Sequence, residues 1–215
     1  LDDKGNDPLA QELSIIYSNG KHLLSLLNDL LDMSRIMADK LELNIKEVHL
    51  SPFLTDIHSL MRLAAKDKDL VFDVIAETKI PEVIETDPTR LRQVLINLVS
   101  NAVKFTDTGA ITVTVEVRPP APGKANERLH FIVEDTGIGM PPHKLDKIFQ
   151  PFEQIEDIMR ANHGGAGLGL AISRELVAKL GGSISVDSVF GKGSRFSFSI
   201  DPGDISEQSR VQLAL

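Results

Sequence analysis

The stretch RLRQVLINLVSNAVKFT, residues 90–106, predicts an amphipathic helix with an unusual polar face. Its apolar residues recur at steps of three and four, the period of one buried helix face, and they are Val94, Leu95, Leu98, Val99, Ala102 and Val103. Asn97 and Asn101 stand one turn apart among them, and Lys104 and Phe105 extend the face that they share. An amide is costly to bury without partners. We therefore expect this face to contact a polar ligand or, alternatively, to bond only within the asparagine pair and to loops.

The composition fits one globular domain of ordinary size with an extra element. Of the 215 residues, 42% are hydrophobic, which is enough for a core, and the net charge is -8. This acidic balance argues against a nucleic-acid partner, because phosphates require a basic surface. The sequence has no cysteine, so disulfides and thiolate metal sites are excluded, and a reducing cytosol is compatible.

No apolar run reaches the length of a membrane span, and no signal peptide is visible. The sequence begins at Leu1 rather than Met, so we expect a fragment of a longer protein. The predicted location is cytoplasmic, and any contact with a membrane is expected only through regions of the parent protein outside this sequence.

Residues 8–41 are predicted to form one long helix with a heptad seam. Its mostly apolar seam positions alternate steps of four and three, and they are 9, 13, 16, 20, 23, 27, 30, 34, 37 and 41. Such a seam is typical of a helix that packs against a partner helix. Two interpretations remain open, namely a helix packed on its own domain and one half of a helical hairpin or dimer stalk.

The rest of the chain mixes strands and helices in an α+β order. Asp87 followed by Pro88 predicts the start of the asparagine-bearing helix, because an acidic cap and a proline in the first turn are typical of helix N-termini. A helix is expected from Ser51 to about Lys66, with inward residues Leu54, Ile57, Leu60, Met61 and Ala64. Strands are expected at 41–50, 70–76, 82–87, 110–118, 128–135, 183–188 and 194–200, further helices at 141–149 and 165–182, and a hairpin loop at 119–127.

The predicted strand 129–135 places Asp135 on the same face as apolar Leu129, Phe131 and Val133. A half-buried carboxylate needs hydrogen-bond donors. An adenine supplies a donor amine and a flat ring, and the TGIG turn that follows lets a ligand approach the backbone. The alternative is that Asp135 only caps this turn.

The stretch HGGAGLGLAI, residues 163–172, places four glycines at the start of a helix. Free backbone N–H groups and the positive end of the helix dipole suit phosphates. GKGS at 191–194 imitates the end of a P-loop, but Val186 replaces the required glycine and the segment lies between two strands, so we predict a tight turn there.

Taken together, the three pieces predict a site for ATP and Mg²⁺. Asp135 would take the base, the glycines at 164–169 the phosphates, and the asparagine face the metal and phosphates. An Asn carbonyl is a hard oxygen ligand suited to Mg²⁺.

The order of these pieces resembles the ATP-binding domain of sensor histidine kinases, in the wider family shared with DNA gyrase and heat-shock chaperone ATPases. The resemblance covers about residues 8–201. The segments similar to the N, G1, F, G2 and G3 boxes of that family are NLVSNAVKFT (97–106), DTGIGM (135–140), KIFQPFEQ (147–154), GGAGLGL (164–170) and FGKGSRFSF (190–198). HLLSLLNDLLDMSRIMADKLEL (22–43) resembles the second helix of the dimerisation domain of hybrid kinases.

The resemblance implies a Bergerat-type sandwich of a mixed sheet of about five strands with three helices, after the long N-terminal helix. It implies Asn101 as the Mg²⁺ ligand, Asp135 as the adenine anchor and 153–163 as a lid. Asn97, Asn101 and Lys104 are the catalytic candidates, and Asn97 replaces the catalytic Glu of the ATPase relatives. The candidate nucleotide-binding residues are Asn101, Lys104, Phe105, Asp135, Gly137, Gly139, Phe149, Phe152, Gly165, Gly167, Leu168 and Gly169.

The function implied is that of a two-component histidine kinase, which transfers the γ-phosphate of ATP to a histidine for relay to a response regulator or receiver domain. We expect a partial dimerisation and phosphotransfer region at 1–43, an ATP-binding catalytic domain at 44–201 and a C-terminal linker at 202–215. The parent protein is expected to form a homodimer through the helical hairpin.

The sequence departs from this family in two places. Ala166 stands where the G2 box often has Ser or Thr, so we expect weaker phosphate binding. None of the histidines, at 22, 49, 58, 130, 143 and 163, has the H-box context of a phosphoacceptor, so we expect this chain not to phosphorylate itself. The alternative function is a nucleotide-responsive interaction module that regulates other kinases without catalysis. An ATPase of the gyrase or chaperone type is disfavoured by Asn97.

Overall fold

The computed structural model describes residues 8–120, 127–153, 166–205 and 209–213. In these ranges a five-stranded mixed sheet packs against three helices, and a long helix precedes them. This architecture confirms the predicted α+β class, with its sandwich of about five strands and three helices.

The helices are α1 (Pro8–Met37), α2 (Leu50–Lys66), α3 (Pro88–Phe105), α4 (Pro142–Leu145) and α5 (Gly169–Lys179). The strands are β1 (Lys46–His49), β2 (Val71–Ala76), β3 (Ile80–Pro81), β4 (Val83–Thr86), β5 (Ala110–Arg118), β6 (Arg128–Asp135), β7 (Ile184–Val189), β8 (Gly193–Ile200) and β9 (Arg210–Val211).

The main sheet has the strand order β2-β5-β6-β8-β7. β2 runs parallel to β5, and the other neighbours are antiparallel. Asp135 lies opposite Ile111 of β5 and Ser194 of β8, so its carboxylate sits at the end of the central strand. Two short sheets, β1-β4 and β3-β9, complete the fold.

The core lies between the helices and one face of the main sheet. In β5 the alternating residues Ile111, Val113 and Val115 are fully buried, as the period of two predicts. Phe131 of β6 stacks on Phe198 of β8 with ring centroids 4.9 Å apart. Helix α3 buries its predicted stripe, which comprises Leu91, Val94, Leu95, Leu98, Val99, Ala102 and Val103.

Helix α3 is held by a charged side chain at each end. At its N-terminus the Asp87 carboxylate accepts hydrogen bonds from the backbone N–H groups of Thr89 (2.9 Å) and Arg90 (3.1 Å), and its second oxygen accepts from the N–H of Asn44 (2.8 Å). This confirms the predicted cap. At the other end the Lys68 ammonium donates to backbone carbonyls, among them that of Val103 at 2.9 Å. Both charges interact favourably with the helix dipole, and they satisfy backbone N–H and C=O groups that have no partner within the helix.

Helix α1 docks on the sandwich through its C-terminal half. Asp32, which is buried, accepts from Arg90 at 2.8 Å and from Gln93 at 2.9 Å, and both donors belong to α3. Along the predicted seam Leu9, Leu13, Ile16, Leu23, Leu27, Leu30 and Met37 are exposed. The helix ends at Met37 rather than near residue 41, because Asp39 adopts a left-handed backbone conformation with φ 51°. No helix in the described ranges is long and apolar enough to cross a membrane.

The buried stripe of α2 differs from the prediction. Leu60 is exposed, and so is Ala64, whereas Phe53 and Ala65 are buried with Leu54, Ile57 and Met61. Because α2 carries apolar residues on either side of its central stripe, the sequence permits two different buried faces. Packing against β2 decides which of the two faces is buried. The strand predicted at 41–50 is shorter in the structure and covers only Lys46–His49.

The C-terminal segment packs on the domain in its described part, contrary to the linker expected at 202–215. Ile205 is buried, and β9 pairs with β3 so that Val211 lies opposite Ile80. The N–H of Glu85 donates to the Pro202 carbonyl at 2.9 Å. The few apolar residues of this polar segment show no helical or strand periodicity. The packing therefore becomes visible only in the tertiary contacts.

We expect Asp87→Ala to lower the free energy of unfolding by about 2 kcal/mol, because α3 loses its cap and Asn44 loses its acceptor. Chemical denaturation followed by circular dichroism measures the change. Asp56→Ala is the matched control, since Asp56 is exposed and makes only a 3.4 Å ion pair with Arg92. Equal stability of the Asp87→Ala and control variants would contradict this role of the cap.

Candidate nucleotide site

Asn97 connects α3 to α5. Its Nδ2 donates to the Ser173 hydroxyl at 2.9 Å. Its Oδ1 faces the first turn of α5, where a Cβ added to Gly169 would come within 2.4 Å of that oxygen. Gly169 is therefore required by the close approach of the two helices. Part of the predicted polar face thus bonds inside the protein.

Asn101 lies one turn further along the same face and is half-buried. Its side chain makes no hydrogen bond with any described residue. An amide oxygen held near the surface without a protein partner is a group that fits a hard cation. The described residues contain no cluster of three or more His, Cys, Asp or Glu that could hold a metal.

Lys104 completes the polar face at the end of α3. Its ammonium lies 4.9 Å from the centroid of the Phe105 ring, a cation–π contact. Partial burial lowers the pKa of Lys104 below its usual value. No carboxylate in the described ranges pairs with it, so its charge is available to an anion.

Asp135 ends β6 as a buried carboxylate. Burial raises the pKa of Asp135, and hydrogen bonds from the backbone of Gly137 and Ser194 partly offset this rise. The Gly137 N–H reaches Oδ1 at 2.8 Å. Asp135 therefore caps the turn that follows, as the alternative interpretation predicted. Capping one oxygen leaves acceptor capacity on the carboxylate for a ligand.

The turn after Asp135 packs tightly against the end of α3. The Ile138 N–H donates to the Phe105 carbonyl at 3.2 Å, and a Cβ on Gly137 would lie 2.3 Å from the same carbonyl oxygen. Thr106 is completely buried beside this turn, and its hydroxyl has no partner among the described residues. Sequence reasoning missed Thr106, because a threonine after a helix gives no signal of burial.

The β7-β8 hairpin supports the same turn from the other side. The Met140 N–H donates to the Ser188 hydroxyl at 2.8 Å, and the Gly191 N–H donates to the Ile138 carbonyl at 2.7 Å. Gly139 has a φ of 61°, and its Cβ would meet the Val189 carbonyl oxygen at 2.1 Å. The segment GKGS thus lies at a tight turn between two strands, as predicted. Ser188 is a supporting residue that the sequence did not reveal.

The two phenylalanines of the KIFQPFEQ segment occupy different environments. Phe149 packs edge-to-face on Phe196 of β8, with ring centroids 6.4 Å apart. Phe152 is exposed, has a φ of 65°, and its N–H donates to the Gly167 carbonyl at 3.0 Å. The structure therefore links the segment to the glycine-rich turn through backbone contacts.

The glycine-rich segment enters α5 with Gly167 in a left-handed conformation, φ 69°. Leu168 is fully buried and anchors the segment in the core. Helix α5 begins at Gly169, later than the glycine-rich stretch suggests. Gly165, His163 and most of the expected lid lie outside the described residues.

The sequence profile of the family described as histidine kinase-, DNA gyrase B-, and HSP90-like ATPase matches residues 86–204, more than half of the chain. The chain belongs to this ATPase family. The match begins at the end of β4, just before the Asp87 cap, and contains Asn97, Asn101, Asp135 and α5.

Relatives of this ATPase-family chain include sensor kinases. It is 40% identical over 201 residues to the aerobic respiration control sensor protein ArcB of Escherichia coli K12. The aligned region covers 91% of this chain and 25% of ArcB. The chain is 39% identical over 187 residues to the circadian input-output histidine kinase CikA of Synechococcus elongatus, covering 86% and 24%. The chain thus spans about a quarter of the length of these relatives.

Solved histidine kinases share the fold. Full-length ShkA in complex with AMPPNP is 32% identical, with a TM-score of 0.74 over 98% of this chain and 40% of that one. ThkA in complex with the response regulator TrrA is 25% identical, with a TM-score of 0.65 over 94% and 53%. The sandwich of this chain is thus that of the sensor kinase catalytic domain.

Proposed function

We propose that this chain binds ATP with Mg²⁺ and transfers the γ-phosphate to a histidine of the parent protein for relay to a response regulator. The observation that carries the proposal is that α3 contacts both the glycine-rich start of α5 and the turn that follows Asp135. Its Asn97 bonds to α5, and its Phe105 carbonyl bonds to the turn after Asp135. One ligand with a base at one end and phosphates at the other matches this arrangement.

Each part of the site has a distinct task in this proposal. The Asp135 carboxylate accepts a hydrogen bond from the adenine amine. The N-terminus of α5 and the Lys104 ammonium hold the negative phosphates. Asn101 holds Mg²⁺, which when bound neutralises charge on the phosphates during transfer. The amide of Asn97 cannot act as a base that activates water. Catalysis by such a site would therefore depend on positioning the reacting groups.

None of the described histidines has the H-box context of an acceptor. His58 stacks on Phe72 with ring centroids 5.6 Å apart, and His130 is half-buried in the sheet, where burial lowers its pKa. His163 lies outside the described residues, as does the side chain of His22. We propose that the acceptor belongs to an upstream helix that packs on the α1 seam.

The exposed seam supports homodimerisation of the parent protein through a helical hairpin. Its leucines form an exposed apolar stripe, and a stripe of this kind is normally buried against another helix. The solved complex of ThkA with TrrA supports a response regulator or receiver domain as the second partner. The same seam fits the alternative function, an interaction module that regulates other kinases without catalysis.

We expect Asp135→Ala to weaken ATP binding by roughly 1–3 kcal/mol, because the adenine amine loses its acceptor. In the unmodified chain GTP should bind much more weakly than ATP, since its carbonyl would face the carboxylate without a donor. Calorimetric titration with both nucleotides measures the preference. Equal affinity for ATP and GTP would show that Asp135 does not read the base.

We expect Asn101→Ala to remove the Mg²⁺-dependent part of ATP binding while the fold survives, because the half-buried amide has no described hydrogen bond to lose. Titration with a non-hydrolysable ATP analogue, with and without Mg²⁺, separates the metal contribution. Ser100→Ala, an exposed neighbour on α3, is the control. An Asn101→Ala variant with the full Mg²⁺ effect would refute the assignment.

We expect the 215-residue chain to bind ATP without labelling itself, and addition of the upstream acceptor helix to produce labelling on the added histidine. Phosphoryl transfer needs a nucleophile in line with the γ-phosphate, and none of the histidines in this sequence has the H-box context of a phosphoacceptor. The readout is acid-labile, base-stable phosphate from labelled ATP. Strong labelling of the chain alone would overturn this reading, and ATP binding without labelling in the extended protein would favour the regulatory module.

A further inference from the structure

Ser173 is a buried polar residue in an otherwise apolar helix face. The other buried residues of α5 are Ala171, Ile172, Leu176 and Val177. Ser173 is only 2% exposed, and its hydroxyl accepts the hydrogen bond from Asn97 Nδ2 at 2.9 Å. A buried hydroxyl in such a place is retained at a cost unless it bonds. Its described partner is the first asparagine of the polar face.

This hydrogen bond ties the Asn97 amide of α3 to α5. An amide has one donor end and one acceptor end. With Nδ2 bound to Ser173, Oδ1 is turned toward the first turn of α5, as its closeness to Gly169 shows.

We propose that Ser173 is a positioning residue for the triphosphate end of the nucleotide site. This inference rests on the proposed ATP binding. Ser173 keeps the start of α5 at a constant separation from the polar face of α3, on which Asn101 and Lys104 follow Asn97. Removal of the hydroxyl frees the amide to rotate and lets the two helices shift. The adenine end is unaffected, because Asp135 is supported by the turn at Gly137 and by β8.

The test compares ATP with adenosine, which lacks phosphates. Ser173→Ala should weaken Mg²⁺·ATP binding about five-fold, the equivalent of one lost hydrogen bond, and should change adenosine binding less than about two-fold. Calorimetry measures ATP, and chemical-shift titration measures adenosine. Ser199→Ala is the matched control, because Ser199 is also a buried serine but lies on β8.

A double-mutant cycle tests the route of the effect. In an Asn97→Ala background, Ser173→Ala should cause no further loss of ATP affinity, since the bond is already absent. If Ser173→Ala does not fold, Ser173→Cys keeps the side-chain volume with a weaker acceptor and gives the same comparison.

The outcomes separate the two proposals. Unchanged ATP affinity in Ser173→Ala, or equal weakening of ATP and adenosine, would overturn the positioning role and leave the proposed function standing. An additive loss in the double variant would also overturn it. Absence of ATP binding in the unmodified chain would overturn the proposed function, and this inference with it.

Discussion

The anchoring of α3 at both ends is the constraint on which the rest of the structure depends. The Asp87 carboxylate binds the N-terminal N–H groups, and the Lys68 ammonium binds the C-terminal carbonyls. Between these ends the buried stripe of α3 packs on the sheet, so the helix can neither slide nor rotate without losing charged hydrogen bonds. Two other parts of the proposed site contact this helix directly, namely α5 through Asn97 and the turn after Asp135 through the Phe105 carbonyl.

Those contacts are short, and glycine makes two of them possible. Gly169 lets α5 approach the Asn97 amide, and Gly137 lets the turn after Asp135 approach the Phe105 carbonyl. A side chain at either position would separate an element from α3. The phosphate end and the base end of the proposed site are therefore coupled to the same rigid body, and catalysis by positioning benefits from such rigidity. The cost of this arrangement is buried polar groups, of which the Thr106 hydroxyl has no described partner.

Helix α1 has two faces with different tasks. One face carries Asp32, which binds Arg90 and Gln93 near the N-terminus of α3, while Lys179 near the end of α5 pairs with Asp39 just beyond α1. The other face carries the exposed leucines of the seam. The sandwich is thus attached to α1 through these polar contacts and through Met33 and Ile36, which pack against the hydrophobic core. The apolar stripe on the other face of α1 is exposed.

The sequence by itself determined the elements whose period is strong and whose ends carry specific caps. The helix 88–105 and the strands 110–118 and 128–135 appear at the predicted positions, because apolar periodicity and the Asp87-Pro88 pair are local signals. It also indicated the family and hence the architecture. Only the tertiary structure decided which flank of α2 is buried, that Arg210–Val211 pairs with β3, that Ser173 and Thr106 are buried, and that Ser188 bonds to the turn after Asp135. These outcomes depend on contacts between residues distant in the chain, where a single serine or threonine carries no periodic signal, and burial is conferred by whatever element packs over it.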